Sequence, residues 1–149
     1  MVQPTNAWQD RFNTPDVTTL RKGVDTEAAE AFDRIRTDLL RVEGAREVMA
    51  WYGQSWGWSI EYHVDAIDDG PLAVIIPAPE DVQMAMTIEP DFLAQLPLRR
   101  MKRAIRDGLD LASPPFDTNL AVWSLQPVHI LDDLMDLIER RLKFEASRA

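Results

Sequence analysis

The sequence predicts an α+β fold: a single five-stranded, mainly antiparallel sheet with helices packed on one face, in the order α-β-β-β-β-α-β-α. Three observations lead there. Four strand-like runs between residues 47 and 88 are joined by short turns, which favours an antiparallel meander. Long amphipathic stretches with helical spacing lie on either side of that run. A fifth strand-like run then sits between two stretches that each begin with proline, a residue suited to a first helical turn.

Taken in order, residues 1–24 carry Pro4, Pro15 and Gly23 with little periodicity and read as an N-terminal arm, anchored on the domain by Trp8 and Phe12. Residues 25–149 form one domain. Its first helix is expected from Asp25 to Val42, with Asp25 capping the first turn and Gly44 closing the helix. Ala28, Ala31, Phe32, Ile35 and Leu39 make its apolar stripe. The strands are expected at 47–52, 56–64, 71–77 and 81–88. A short turn is expected at 91–95, then a helix from Pro97 to Leu111 burying Leu98, Met101, Ile105 and Leu109. The segment SPPFD, 113–117, reads as a loop, "TNLAVWSLQ" (118–126) as the fifth strand, and Pro127 opens the last helix. That helix places acids early (Asp132, Asp133, Asp136) and bases late (Arg140, Arg141, Lys143), matching the helix dipole.

The first hairpin holds the densest signal, "WYGQSWGW" at 51–58. With "GQS" as its loop, Tyr52 faces Trp56, Trp51 faces Gly57, Ala50 faces Trp58 and Met49 faces Ser59. Alternation then puts Val48, Ala50, Tyr52, Trp56, Trp58, Ile60, Tyr62 and Val64 on the core face. The opposite face carries Met49, Trp51, Gly57, Ser59, Glu61 and His63. Trp56 and Trp58 are structural in this register. Trp51 either covers the gap left by Gly57 or walls a ligand or partner surface.

Composition narrows the function classes. The chain of 149 residues has a formal net charge of -9 and no cysteine, which excludes thiol catalysis, disulfides and cysteine-based zinc sites. An acidic surface repels phosphate backbones, so nucleic acid is not an expected partner. The longest apolar run, 72–78, is too short for a bilayer span, and the start of the chain has no secretory pattern; a cytoplasmic location away from membranes is expected.

Specific catalytic motifs are missing: no H-E-x-x-H, no G-x-S-x-G, and no glycine-rich phosphate loop. No catalytic residue, metal ligand or cofactor is expected. Glu61 and His63 share a strand face, and the register above sets Glu47 opposite Glu61. Two carboxylates and an imidazole could hold a divalent metal or move protons; otherwise they are solvated charges at a frayed strand end. His129 reads as a surface residue at the start of the last helix. "RRMKRAIR" (99–106) sets Arg99, Lys102, Arg103 and Arg106 on one helix face, which either binds an anion or acidic partner or is a solvated stripe with Arg103–Asp107 and Arg106–Asp110 pairs. The acidic pairs Asp68-Asp69, Glu80-Asp81 and Asp132-Asp133 read as turn, capping and solubility charges.

The succession "WYGQSWGWSIEYH", "LAVIIP", "VQMAMTI", "LPLRRMKRAIRDGL", "LAVWSLQ" and "ILDDLMDLIERRL" is similar to a bacterial domain-of-unknown-function family grouped with the YdhG-like proteins. The resemblance spans roughly residues 15–145, and its most specific piece is Tyr52-Gly53 followed by Gly57-Trp58-Ser59. The chain departs from the family pattern at Glu80-Asp81-Val82, where the family tends to carry Gly and Phe. The resemblance implies a compact sheet with helices on one face and no assigned activity; some YdhG-like relatives are described as frataxin-like iron chaperones. The leading expectation is a non-enzymatic module that binds a small molecule or a protein through a surface of Trp51, Ser59, Glu61 and His63. The alternatives are a frataxin-like iron-handling protein and a small enzyme using Glu61 and His63.

Overall fold

The computed structural model describes residues 7–110 and 119–148. The expected loop at 113–117, the first residues of the arm and the start of the expected fifth strand at Thr118 lie outside the described residues. A 3-10 turn at Ala7–Gln9 precedes helices α1 (Val17–Lys22) and α2 (Thr26–Leu40). Strand β1 (Arg46–Trp51), a helical turn α3 (Gly53–Trp56), and strands β2 (Trp58–His63), β3 (Ala73–Ile76) and β4 (Gln83–Thr87) follow. Helix α4 (Pro90–Ala94), a 3-10 turn at Leu98–Arg100, helix α5 (Arg103–Asp110), strand β5 (Leu120–Ser124) and helix α6 (Ile130–Arg148) complete the chain.

The sheet is an open antiparallel meander in the order β1-β2-β3-β4-β5. One row of paired residues, Met49, Ile60, Ile75, Met84 and Trp123, crosses its helix-covered face. The helices lay their apolar stripes on this face. Phe32, Ile35 and Leu39 of α2 and Leu134, Leu137 and Ile138 of α6 are fully buried there. Each such side chain contributes about 1.5–3 kcal/mol relative to an exposed one, so this layer carries the stability. Two ion-paired groups close it, Arg141 buried and Glu47 partly buried. Arg141 donates to the Thr87 carbonyl and pairs with Glu145 at 2.9 Å. Glu47 is clamped by Arg36 at 2.7 and 3.0 Å and accepts the Tyr62 hydroxyl at 2.7 Å.

Several local expectations are corrected. Asp25 does sit at the N-cap of α2, but its side chain makes no capping bond; its carbonyl accepts the first helical amides and its own N–H donates to Pro79. Asp16 caps α1 by accepting from the Thr19 amide. Trp8 anchors the arm as expected, whereas Phe12 is 89% exposed. The expected helix 97–111 is broken: Met101 is extended, and α5 starts at Arg103 with the Lys102 carbonyl as its cap. Helix forms only where the segment packs. Ile105, Gly108 and Leu109 are buried and the Trp123 ring lies against Gly108, while Leu98 is exposed. Arg99 and Lys102 therefore leave the shared stripe, and Lys102 pairs with Asp133 at 3.1 Å.

The central correction is the register of the β1–β2 hairpin. Trp51 pairs with Trp58, Ala50 with Ser59, Met49 with Ile60 and Val48 with Glu61. The loop is not the three residues "GQS" but the six from Tyr52 to Gly57, closed by the Tyr52 N–H to the Gly57 carbonyl at 2.9 Å. Gly57 belongs to this loop because its φ of 59° is unfavourable for any residue with a side chain, and because an added Cβ would lie 2.3 Å from the Trp8 carbonyl oxygen. A shift of one residue on one strand inverts that strand's faces. Met49 and Trp51 thus turn to the helix-covered face, and Val48, Ala50 and Tyr52 to the other.

Candidate functional site

The face away from the helices is built from the same strands in opposite parity. Its central row is Val48, Glu61, Val74, Ala85 and Val122. Val74, Ile76 and Ala85 form a small second core, packed with Trp8, Tyr52, Trp56, Leu120 and Val122. The 3-10 turn of the arm holds Trp8 in place through its indole N–H, which donates to the Trp56 carbonyl at 2.6 Å. Trp56 also stacks on Tyr52, with ring centres 5.8 Å apart. Trp56 is therefore structural, as expected, but on the face opposite to the one expected.

Glu61 and His63 remain on this face, as parity requires, and the structure brings them together. His63 Nε2 lies 2.9 Å from one Glu61 oxygen, and the Tyr52 hydroxyl donates to the other at 2.7 Å. The glutamate and imidazole side chains keep 20% and 25% of their exposure. Burial first, and the adjacent carboxylate second, push the Tyr52 phenol well above its ordinary range, so it stays a protonated donor. A neutral His63 protonated on Nε2 donates to Glu61 and leaves Nδ1 as an acceptor; the imidazolium adds a cation.

The other two expected site residues are elsewhere. Ser59 is on the right face but fully buried, with its hydroxyl 3.3 Å from the Trp56 carbonyl. Trp51 lies on the opposite face, edge-on to Trp58 with ring centres 5.6 Å apart. It lines a separate cavity of about 730 Å³ with Gln9, Asp10, Phe12 and Gln54. Trp58 is buried as expected and donates its indole N–H to the Asp10 carbonyl at 2.6 Å. Glu47 does not oppose Glu61: it pairs with Tyr62 and points to the helices. The proposed cluster of two carboxylates and a histidine does not exist, and among the described residues no group of three or more His, Cys, Asp or Glu side chains is placed to hold a metal ion.

Tyr52 is the residue that sequence reading missed. The available signal was Gly57: glycine inside a strand weakens it, and reading Gly53 and Gly57 as the two ends of one loop gives the observed register.

The two faces of the hairpin carry two versions of one motif, a tyrosine hydroxyl donating to a glutamate. On the helix side, Glu47 is closed off by Arg36. Burial alone would raise the Glu47 carboxyl, but the Arg36 and Tyr62 hydrogen bonds outweigh it and hold the group below its ordinary range. On the other side, no described lysine or arginine pairs with Glu61; its hydrogen-bonding neighbours are Tyr52 and His63. That face is chemically unfinished in a way the core side is not.

His129 is exposed just before α6, as expected. Arg99, Arg100, Arg103 and Arg106 are exposed, and Arg103 approaches Asp107 at 3.9 Å. No helix among the described residues is long and apolar enough to cross a membrane. No family model, curated protein or solved structure matches this chain.

Proposed function

We propose that the protein is a non-enzymatic binding module that takes a small molecule or a protein side chain on the β1–β2 part of its helix-free sheet face. The observation that carries this reading is the Tyr52–Glu61–His63 chain. A part-exposed carboxylate is oriented by two hydrogen-bonding neighbours, yet lacks the guanidinium that completes its counterpart Glu47. Val48, 42% exposed and directly opposite Glu61, adds an apolar contact beside the charge. A ligand offering an ammonium or guanidinium group next to a short apolar stem fits both features. The resemblance to uncharacterised YdhG-like proteins is compatible with this reading, since its most specific residues build the hairpin tip that presents Tyr52.

Thermal shift with arginine methyl ester and spermidine as probes tests the reading. The wild type should be stabilised by at least one of them, and Glu61→Gln should lose the shift while keeping its own Tm in the absence of probe within about 3 °C. No stabilisation of the wild type by either probe, or an unchanged shift in Glu61→Gln, would overturn it.

The 2.9 Å contact between Glu61 and His63 favours a second reading, an enzyme that moves a proton through this pair. It requires turnover of some substrate that both Glu61→Gln and His63→Ala abolish.

A further inference from the structure

A separate cleft lies on the helical side of the molecule. It has a volume of about 760 Å³, within the range of roughly 300–1,000 Å³ typical of ligand-holding clefts. One wall is the C-terminal end of α2 and the turn after it, and the other is α6; the segment just after β2 closes one end. Val42, Met135 and Leu142 supply partly buried apolar surface packed on the core. The lining residues of α6 run from Asp132 to Leu142, which at 1.5 Å per residue is a trough about 15 Å long. That is between two and three helical turns, the length over which a docked helix places anchors at i, i+3 or i+4, and i+7.

The rim is almost entirely acidic. Asp132, Asp136 and Glu139 line it on α6, and Asp38, Glu43 and Asp65 line it opposite. Arg41 is the one basic residue among the lining groups, and it is 76% exposed in a 3.6 Å pair with Asp38. Asp132, Asp136 and Asp65 have arginine partners in exposed pairs that contribute little and exchange readily. Among the described residues no ion pair engages Glu43 or Glu139, both exposed. Apolar floor and anionic rim together select one kind of occupant: an amphipathic helix with an apolar stripe and lysines or arginines flanking it. A second copy of this chain fits poorly, because each copy carries a net charge of -9.

We propose that the α2–α6 cleft is a docking groove for a basic amphipathic helix of a partner protein. The inference is independent of the sheet-face site, and Glu61→Gln leaves it untouched.

The probe is a fluorescein-labelled lysine–leucine amphipathic peptide of about 18 residues, long enough to fill the trough. It is compared with a scrambled peptide of the same composition, by anisotropy at physiological salt. The wild type should bind the amphipathic peptide at least about tenfold more tightly than the scrambled one. The double variant Asp136→Lys/Glu139→Lys should weaken binding by about tenfold or more. A control double variant with the same change in charge, Glu27→Lys/Glu30→Lys on the far end of α2, should change it by less than about threefold. Equal weakening by both double variants, or equal binding of the scrambled peptide, would overturn the proposal by showing only diffuse attraction to an acidic surface. A wild-type dimer in sedimentation that Asp136→Lys/Glu139→Lys dissolves would also overturn it, giving the groove to another copy of the chain.

Discussion

The paired tyrosine–glutamate motifs of the hairpin give a contrast that one conservative change can test on both faces. Tyr62→Phe and Tyr52→Phe each remove a single hydroxyl that donates to a carboxylate at 2.7 Å. The surroundings differ. Tyr62 is fully buried, and Glu47 is clamped behind it by Arg36. Water cannot readily replace the lost donor there, and hydrogen bonds to charged groups contribute about 1.5–3 kcal/mol. At this chain length each kcal/mol lowers Tm by about 3 °C, so Tyr62→Phe should lose about 5–9 °C. Tyr52 and Glu61 are only partly buried, so water substitutes, and Tyr52→Phe should cost about 0.5–1 kcal/mol, or about 1–3 °C. The Tyr62 deficit should also depend on pH. Glu47 is held below its ordinary range in the folded chain, so its ionised form stabilises the fold fully above the unfolded value of about 4.3. That contribution is lost as pH falls through the lower folded value, where the hydroxyl no longer faces a charge. Urea unfolding of both variants and the wild type near pH 7 and near pH 3 measures all of this. A Tyr52→Phe cost equal to or above that of Tyr62→Phe, or a Tyr62 deficit that does not shrink in acid, would refute the assignment of closed and open faces.

Trp51 and Trp58 share a face, so a double-mutant cycle in denaturant should show a coupling of about 0.5–1.5 kcal/mol, on top of about 3–5 kcal/mol for Trp58→Ala alone; zero coupling would contradict the register. Gly57→Ala should destabilise by about 1–3 kcal/mol through its glycine-only backbone region, and should also release the arm, seen as greater quenching of tryptophan fluorescence by acrylamide; a neutral outcome would mean Trp8 does not seat against Gly57. Duplex DNA should bind negligibly at physiological salt, and submicromolar binding that weakens with added salt would instead bring Arg103 and Arg106 forward as contacts.

What the sequence alone determined was the five strands, the main helices and their order; the short helices α1 and α3 it did not foresee. The α2 stripe of Phe32, Ile35 and Leu39 and the buried runs of β3 and β4 carry strong periodicity or apolar content, and short turns leave an antiparallel meander as the simple connection. It also put Glu61 and His63 together, because residues two apart on a strand must share a face. The tertiary structure alone decided which face Trp51, Tyr52 and Glu47 occupy. Hairpin parity depends on the length of the loop, and the loop depends on Gly57, whose conformation is set by contact with Trp8, 49 residues earlier. The break before α5 was hidden for the same kind of reason, since helix is rewarded where Ile105, Gly108 and Leu109 become buried, with Trp123 set against Gly108 and bonded to the Ile105 carbonyl. The acidic groove was invisible too. Glu43, Asp65 and Glu139 lie far apart along the chain and become one rim only when α6 packs beside α2.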